Sequence, residues 1–160
     1  MDSDITSNSR WAAQLAEEYP QAAVQLEQLA QHLRAKQERL GMLIRFCASR
    51  PELPMLRMYT EYSAALDAVA LEPSREEPRG LSDKEVVDLP YRERGARTKR
   101  VRTRTSLIEA AATLILKSSG SWRVNAAVQL AGVGNATYHN HFASRERLLV
   151  AAYEHLLANV

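Results

Sequence analysis

The chain has 160 residues, of which 25% are charged and 46% are apolar. This length is enough for one moderate domain or two small ones, and the composition indicates a folded protein rather than a disordered one. No run of about 18 apolar residues occurs, which excludes a transmembrane helix, and the polar N-terminus MDSDITSNSRWAAQ lacks the apolar core of a signal peptide. A single cysteine, Cys47, excludes an internal disulfide framework and a multi-cysteine zinc site. We therefore expect a soluble protein of the reducing cytoplasm.

The formal net charge of +2 conceals an uneven distribution of charge along the chain. Residues 1–91 carry 10 basic and 15 acidic side chains, a net charge of −5, whereas residues 92–160 carry 11 basic and 4 acidic ones, a net charge of +7. Such asymmetry is typical of a chain with a basic nucleic-acid-binding portion.

The N-terminal half has the periodicity of helices. No window alternates apolar and polar residues over the length of a strand, so the sequence predicts an all-α fold. A first helix is predicted over about residues 9–18, with Trp11 and Leu15 on one face. A second is predicted over residues 21–47, where an apolar stripe that can face a core or a partner helix is interrupted by Lys36. The stripe consists of Ala22, Leu26, Leu29, Leu33, Leu40, Leu43 and Cys47.

A third helix is predicted over about residues 55–70. Its apolar side would hold Leu56, Tyr59, Tyr62, Leu66 and Val69. Three helices in such a short stretch predict a helical bundle or hairpin module over residues 1–71, which would mediate dimerisation or bind a partner.

Residues 72–97 are predicted to be a linker. The stretch EPSREEPRG (72–80) is polar, and Ser82 and Glu85 have the spacing of a capping box before a short helix that would end near Leu89. The run YRERGARTKRVRTR follows. Its basic residues are either a solvated segment or a flexible arm that contacts phosphates and releases counterions. The candidate arm residues are Arg97, Lys99, Arg100, Arg102 and Arg104.

Residues 98–160 have the plan of a helix-turn-helix unit. An amphipathic helix over 105–118 precedes a short helix over about 124–131, and the glycine turn 132–134 leads to a helix that starts near Asn135. Ser144 is placed to cap a fourth helix. In such a unit the helix after the turn enters the major groove of DNA.

The stretch AGVGNATYHNHFASRERLL (131–149) resembles the signature AGVSxxTxYxHFxSKexLL of the TetR repressor family. The resemblance covers about residues 98–158 and implies a C-terminal TetR-like DNA-binding domain. It also implies a dimer on double-stranded DNA in the bacterial cytoplasm, associated with the nucleoid. The residues that match the signature at the same spacing are Ala131, Gly132, Val133, Thr137, His141, Phe142, Ser144, Leu148 and Leu149.

The chain also departs from the family pattern. Gly134 replaces the usual capping serine, His139 the usual tyrosine and Arg145 the common lysine. Family members normally continue from this unit into an effector-binding and dimerising domain, whereas here the unit follows about 90 other residues. Induction by an effector is therefore not expected.

The resemblance and the helix-turn-helix plan nominate the DNA-contacting residues. Asn can read adenine and Thr can touch a thymine methyl group, although capping and solvation of a short helix would also explain these residues. The expected recognition surface is Asn135, Ala136, Thr137, Tyr138, His139 and Asn140. The expected contacts to the DNA backbone are Arg123, Asn125, His141 and Arg145, with His139 at a further phosphate-contacting position of the family.

Other side chains have simpler interpretations. Phe142 is expected in the core, and Cys47 is expected to be buried rather than reactive. His139, His141 and His155 are spaced too unevenly for a compact metal site, so neither a metal nor another cofactor is expected.

The sequence therefore predicts a sequence-specific DNA-binding transcriptional regulator, a repressor that acts as a homodimer through its N-terminal helices. The alternative is a DNA-tethered adaptor whose N-terminal helices recruit another protein. An enzyme is not expected, because no nucleophile–base pair, phosphate-binding glycine loop or carboxylate cluster occurs at a recognisable spacing.

Overall fold

A computed structural model describes residues 14, 17, 19–72, 91–118 and 122–158 of the chain. Over these residues the secondary structure consists of helices and contains no strand, which confirms the predicted all-α fold. The predicted helix over 9–18, with Trp11 and Leu15, falls almost entirely outside the described residues, as does the predicted capping box at Ser82. The chain divides into two compact units, Met1–Arg39 and Leu40–Val160.

Six helices lie in the described part of the chain. They are α1 (Pro20–Ala48), α2 (Met55–Leu71), α3 (Tyr91–Lys117), α4 (Val124–Leu130), α5 (Asn135–His141) and α6 (Arg145–Ala158). The two helices predicted over 21–47 and 55–70 correspond closely to α1 and α2.

Helix α3 is much longer than the helix predicted over 105–118. It begins at Tyr91 and includes the whole basic segment, for which the sequence allowed either a solvated segment or a flexible arm. Between Gly95 and Gly120 the sequence contains no glycine or proline, and it is rich in Arg, Ala and Leu, which have a high propensity for helices. The basic segment is therefore helical and continuous with the helix predicted over 105–118.

The core of unit Leu40–Val160 is built around α6. This helix packs against both α2 and α3, and α3 also packs against α4. Four residues of α6 have no exposed surface, namely Leu148, Leu149, Ala152 and Tyr153. The facing residues are Met58, Tyr62, Ala65 and Leu66 from α2 and Leu107, Ala111 and Ile115 from α3.

This packing differs from the predicted division into residues 1–71, 72–97 and 98–160. Helix α2 and the end of α1 from Leu40 onwards belong to the same compact unit as helices α3 to α6. The physical reason is the apolar face of α2, whose Met58 and Tyr62 are completely buried. A helix with such a face needs a partner, and α6 provides it.

A polar contact accompanies this apolar packing. The hydroxyl of Tyr153 donates a hydrogen bond to Oε2 of Glu61 over 3.1 Å, and Nη2 of Arg145 donates to Oε1 of the same carboxylate over 3.0 Å. The rings of Tyr62 and Tyr153 stack with their centroids 4.6 Å apart. Burial and, next, the negative charge of Glu61 raise the pKa of Tyr153, so the phenol stays protonated and remains a donor.

Cys47 lies in the same core. Its side chain is buried, as expected, and burial raises the pKa of its thiol above the usual value. A protonated, buried thiol is a poor nucleophile, so Cys47 has a packing role.

We predict that Glu61→Ala lowers the free energy of unfolding by about 1–3 kcal/mol, because it leaves the buried Tyr153 hydroxyl without an acceptor and Arg145 without its carboxylate. Glu109→Ala is the matched control, since Glu109 is exposed on α3. Urea denaturation of both variants measures the difference. Equal stabilities of the two variants would show that the Glu61 contacts do not hold α2 to α6.

Candidate nucleic-acid interface

The turn between α4 and α5 has the geometry of a Schellman motif. The amide of Val133 donates to the carbonyl of Val128 over 3.1 Å, and the amide of Gly132 donates to the carbonyl of Gln129 over 3.1 Å. Gly132 has φ of +67°, in the left-handed region that favours glycine. The structure thus contains the tight glycine turn that the sequence predicts between the two helices.

Helix α5 begins after Gly134, which has an extended backbone and makes no side-chain capping bond. The sequence departs from the family signature at this residue, and the missing side-chain acceptor is the consequence. By contrast, the predicted cap of the last helix is present, since Oγ of Ser144 accepts a hydrogen bond from the amide of Arg147 over 3.3 Å.

Helix α5 has an exposed face and a buried face. Asn135, Ala136, His139 and Asn140 are exposed, and Thr137 is half-buried. These five predicted residues therefore lie where a ligand can reach at least part of each side chain.

The structure corrects the assignment of Tyr138. Its side chain is only 3% exposed, and its ring stacks on that of Phe142 with 6.1 Å between the centroids. Phe142, which was expected in the core, is 1% exposed. Phe142 directly follows α5, and its amide donates a hydrogen bond to the carbonyl of Tyr138 over 2.9 Å. Tyr138 therefore packs α5 onto the core and does not belong to the exposed recognition surface.

The predicted backbone-contacting residues have different surroundings. Arg123 and Asn125 are exposed at the start of α4, consistent with a role at the surface. His141 is half-buried at the end of α5, and burial followed by the positive charges of Arg100 and Arg104 lowers its pKa.

Arg145 is engaged within the protein. In addition to Glu61, its guanidinium lies 3.9 Å from the carboxylate of Glu146 and 5.2 Å from the centre of the Trp122 ring. Its neighbour Arg147 pairs with Glu72, and this pair lowers the pKa of Glu72, after the larger effect of a hydrogen bond with Ser144. The charge of Arg145 is thus largely compensated by α2 and α6, which opposes its assignment as a free phosphate contact.

The five predicted arm residues of α3 have different surroundings. Lys99, Arg100 and Arg102 are exposed, and Arg97 is half-buried. Arg104 instead donates from Nη1 to the carbonyl oxygen of His141 over 2.9 Å, and its guanidinium lies 4.4 Å from the centre of the Phe142 ring. It thereby connects α3 to the end of α5. No local pattern in the sequence indicates this contact, because its partners lie 37 and 38 residues away.

The described residues contain no group of three or more His, Cys, Asp and Glu side chains that could hold a metal ion. Among those residues no helix is both long enough and apolar enough to cross a membrane.

The chain was compared with known proteins at three levels. No family model, no curated protein and no solved structure matches it.

Substitutions of the two glycines of the turn are expected to change the free energy of unfolding in opposite directions. Gly132→Ala is expected to lower the free energy of unfolding by about 1 kcal/mol, because a side chain is strained at positive φ. Gly134→Ser is expected to raise it by about 0.5 kcal/mol, because the serine hydroxyl can cap α5 and an added Cβ meets open space. Thermal unfolding of the two variants beside the native chain measures both effects. A Gly132→Ala variant as stable as the native chain would contradict the left-handed turn.

Proposed function

We propose that this chain is a sequence-specific double-stranded DNA-binding transcriptional regulator, a repressor whose helix-turn-helix unit is similar to that of the TetR family. The observation that carries the proposal is the pairing of two surfaces. The exposed face of α5 ends beside α3, because Arg104 bonds to the carbonyl of His141. A polar helix face and a basic helix therefore meet in one compact unit.

In this proposal α5 enters the major groove. Asn135 and Asn140 are exposed and carry amide groups that can make paired hydrogen bonds with N6 and N7 of adenine. The seven-residue length of α5 and its glycine turn suit the second helix of a helix-turn-helix unit. Tyr138 and Phe142 support this helix from the core side.

The exposed basic residues of α3 supply the contacts to phosphates. Lys99, Arg100 and Arg102 lie within one turn of the same helix, and Arg104 holds this helix against α5. Neutralising phosphates releases condensed counterions, which contributes affinity for any sequence. Arg123 and Asn125 at the start of α4 offer further contacts to the DNA backbone.

One helix-turn-helix unit reads a short half-site, so we propose that the regulator acts as a homodimer through α1. The exposed leucines of α1, at positions 26, 29 and 33, favour an interface on this helix. The same leucines also fit the second candidate function, an adaptor that stays on DNA through α5 while α1 recruits another protein.

The proposal predicts two kinds of binding defect. After the bound site has been selected from genomic DNA fragments, Asn135→Ala and Asn140→Ala are each expected to lose about 1–3 kcal/mol of discrimination between that site and a scrambled duplex. Lys99→Ala and Arg102→Ala are expected to weaken binding to both duplexes equally and to reduce the slope of log K against log salt by about 0.9 each. Fluorescence anisotropy at several salt concentrations measures both quantities.

Lys117→Ala is the matched control, since Lys117 is an exposed basic residue in the last turn of the same helix. It is expected to leave affinity and salt slope close to the native values. Binding of the native chain that is indifferent to DNA sequence at every salt concentration would refute the specific-regulator function.

A further inference from the structure

Helix α1 has a heptad repeat whose leucines are exposed over its first half, whereas its Ala22 and Lys36 are half-buried. Tyr19, Ala22, Leu26, Leu29, Leu33 and Lys36 follow one another at spacings of three and four, as the a and d positions of a coiled coil do. The three leucines are 53%, 52% and 53% exposed, and Tyr19 is 61% exposed. Tyr19 immediately precedes α1, and its carbonyl accepts a hydrogen bond from the amide of Ala23 over 3.0 Å. From Leu40 onwards the stripe is buried within unit Leu40–Val160.

The side chains of the apolar stripe fit those of the same stripe on a second copy when the two helices run in opposite directions. With Leu26 facing Leu29 of the other copy, the next pair in each direction joins Ala22 to Leu33. A large residue then faces a small one, which fills the seam without a gap or a clash. The residues beside this seam include Ala23 and Ala30, which are half-buried and small enough for two backbones to approach closely.

The same register places the charge of Lys36 against an aromatic ring. In this register the Lys36 side chain stands opposite the Tyr19 ring of the other copy, where a cation–π contact can form. A parallel pairing would instead bring Lys36 against Lys36 and Ala22 against Ala22. The first of these pairs is repulsive and the second leaves a gap, so charge and volume both disfavour the parallel arrangement.

We propose that residues 19–36 of two copies form an antiparallel two-stranded coiled coil in which Leu26 pairs with Leu29, Ala22 with Leu33 and Tyr19 with Lys36. About 27 Å of helix takes part, at 1.5 Å per residue. The occupant of the apolar stripe is thus a second copy of this chain. This inference specifies how the proposed homodimer forms, and it rests on the proposed function only in taking the protein to be a homodimer. Neither the pairing nor its test involves DNA.

Heterotypic cross-linking tests the direction and the register together. Two full-length variants are prepared, Ala22→Cys and Leu33→Cys, one of them with an added tag so that mixed and identical dimers differ in mass. Under mild oxidation each variant alone is expected to stay uncross-linked, whereas the mixture is expected to yield the mixed disulfide. The native chain, whose Cys47 is 4% exposed, is the control for cross-links through that thiol. Cross-linking of either variant with itself would establish a parallel pairing and overturn the proposal.

A second pair of variants tests whether the stripe holds the dimer. Leu29→Glu is expected to weaken dimerisation about a hundredfold or more in sedimentation equilibrium, because it buries a carboxylate in an apolar seam. Gln28→Glu, at an exposed outward position, is the matched control and is expected to leave the dimer intact. Circular dichroism confirms that both variants remain folded. A monomeric native chain, or a Leu29→Glu variant that dimerises normally, would overturn the proposal even if DNA binding is sequence-specific.

Discussion

The buried hydroxyl of Tyr153 is the constraint from which the arrangement of unit Leu40–Val160 follows. A hydrogen bond offsets the cost of burying a hydroxyl group, and here the acceptor is the carboxylate of Glu61. A largely buried carboxylate in turn needs positive charge, which Arg145 provides from the start of α6. Helix α2 is therefore held to α6 by polar as well as apolar contacts, even though 84 residues separate Glu61 from Arg145.

The ion pairs between α2 and α6 also affect how the charge distribution along the chain is interpreted. The acidic first part and the basic last part are not two independent surfaces, since Glu61 pairs with Arg145 and Glu72 with Arg147. These pairs neutralise the charges of two basic residues of α6. Lys99, Arg100 and Arg102 in the first half of α3 stay exposed, so the proposed phosphate-binding segment is a helix rather than a flexible arm.

The parts of the fold that the sequence predicts are those governed by local chemistry. The glycine turn, the Ser144 cap and the periodicity of α1 and α2 all depend on residues within a few positions of one another. The burial of Phe142 is as expected, whereas Tyr138, four residues earlier and assigned to the recognition surface, is buried beside it.

The remaining errors concern partners that are distant in the sequence. Neither the pairing of Arg145 with Glu61 nor the bond of Arg104 to the carbonyl of His141 leaves any trace in residue order or composition. The domain division predicted at residue 71 failed to anticipate the packing of α2 on α6 for the same reason. An amphipathic pattern states which face of a helix is apolar and leaves open which element covers it.

Within one continuous heptad repeat, helix α1 contains an apolar segment that its own chain covers and another that remains exposed. The heptad phase is continuous from Tyr19 to Cys47, but the residues after Leu40 are covered by their own chain and the leucines before it remain exposed. Lys36 stands at the last heptad position before this change. A charge at such a position penalises any register that would bury it in an apolar seam, and it thereby separates the part of the stripe that stabilises the fold from the part that is available for association. One polar residue in an otherwise apolar repeat can in this way assign the two ends of a single helix to different partners.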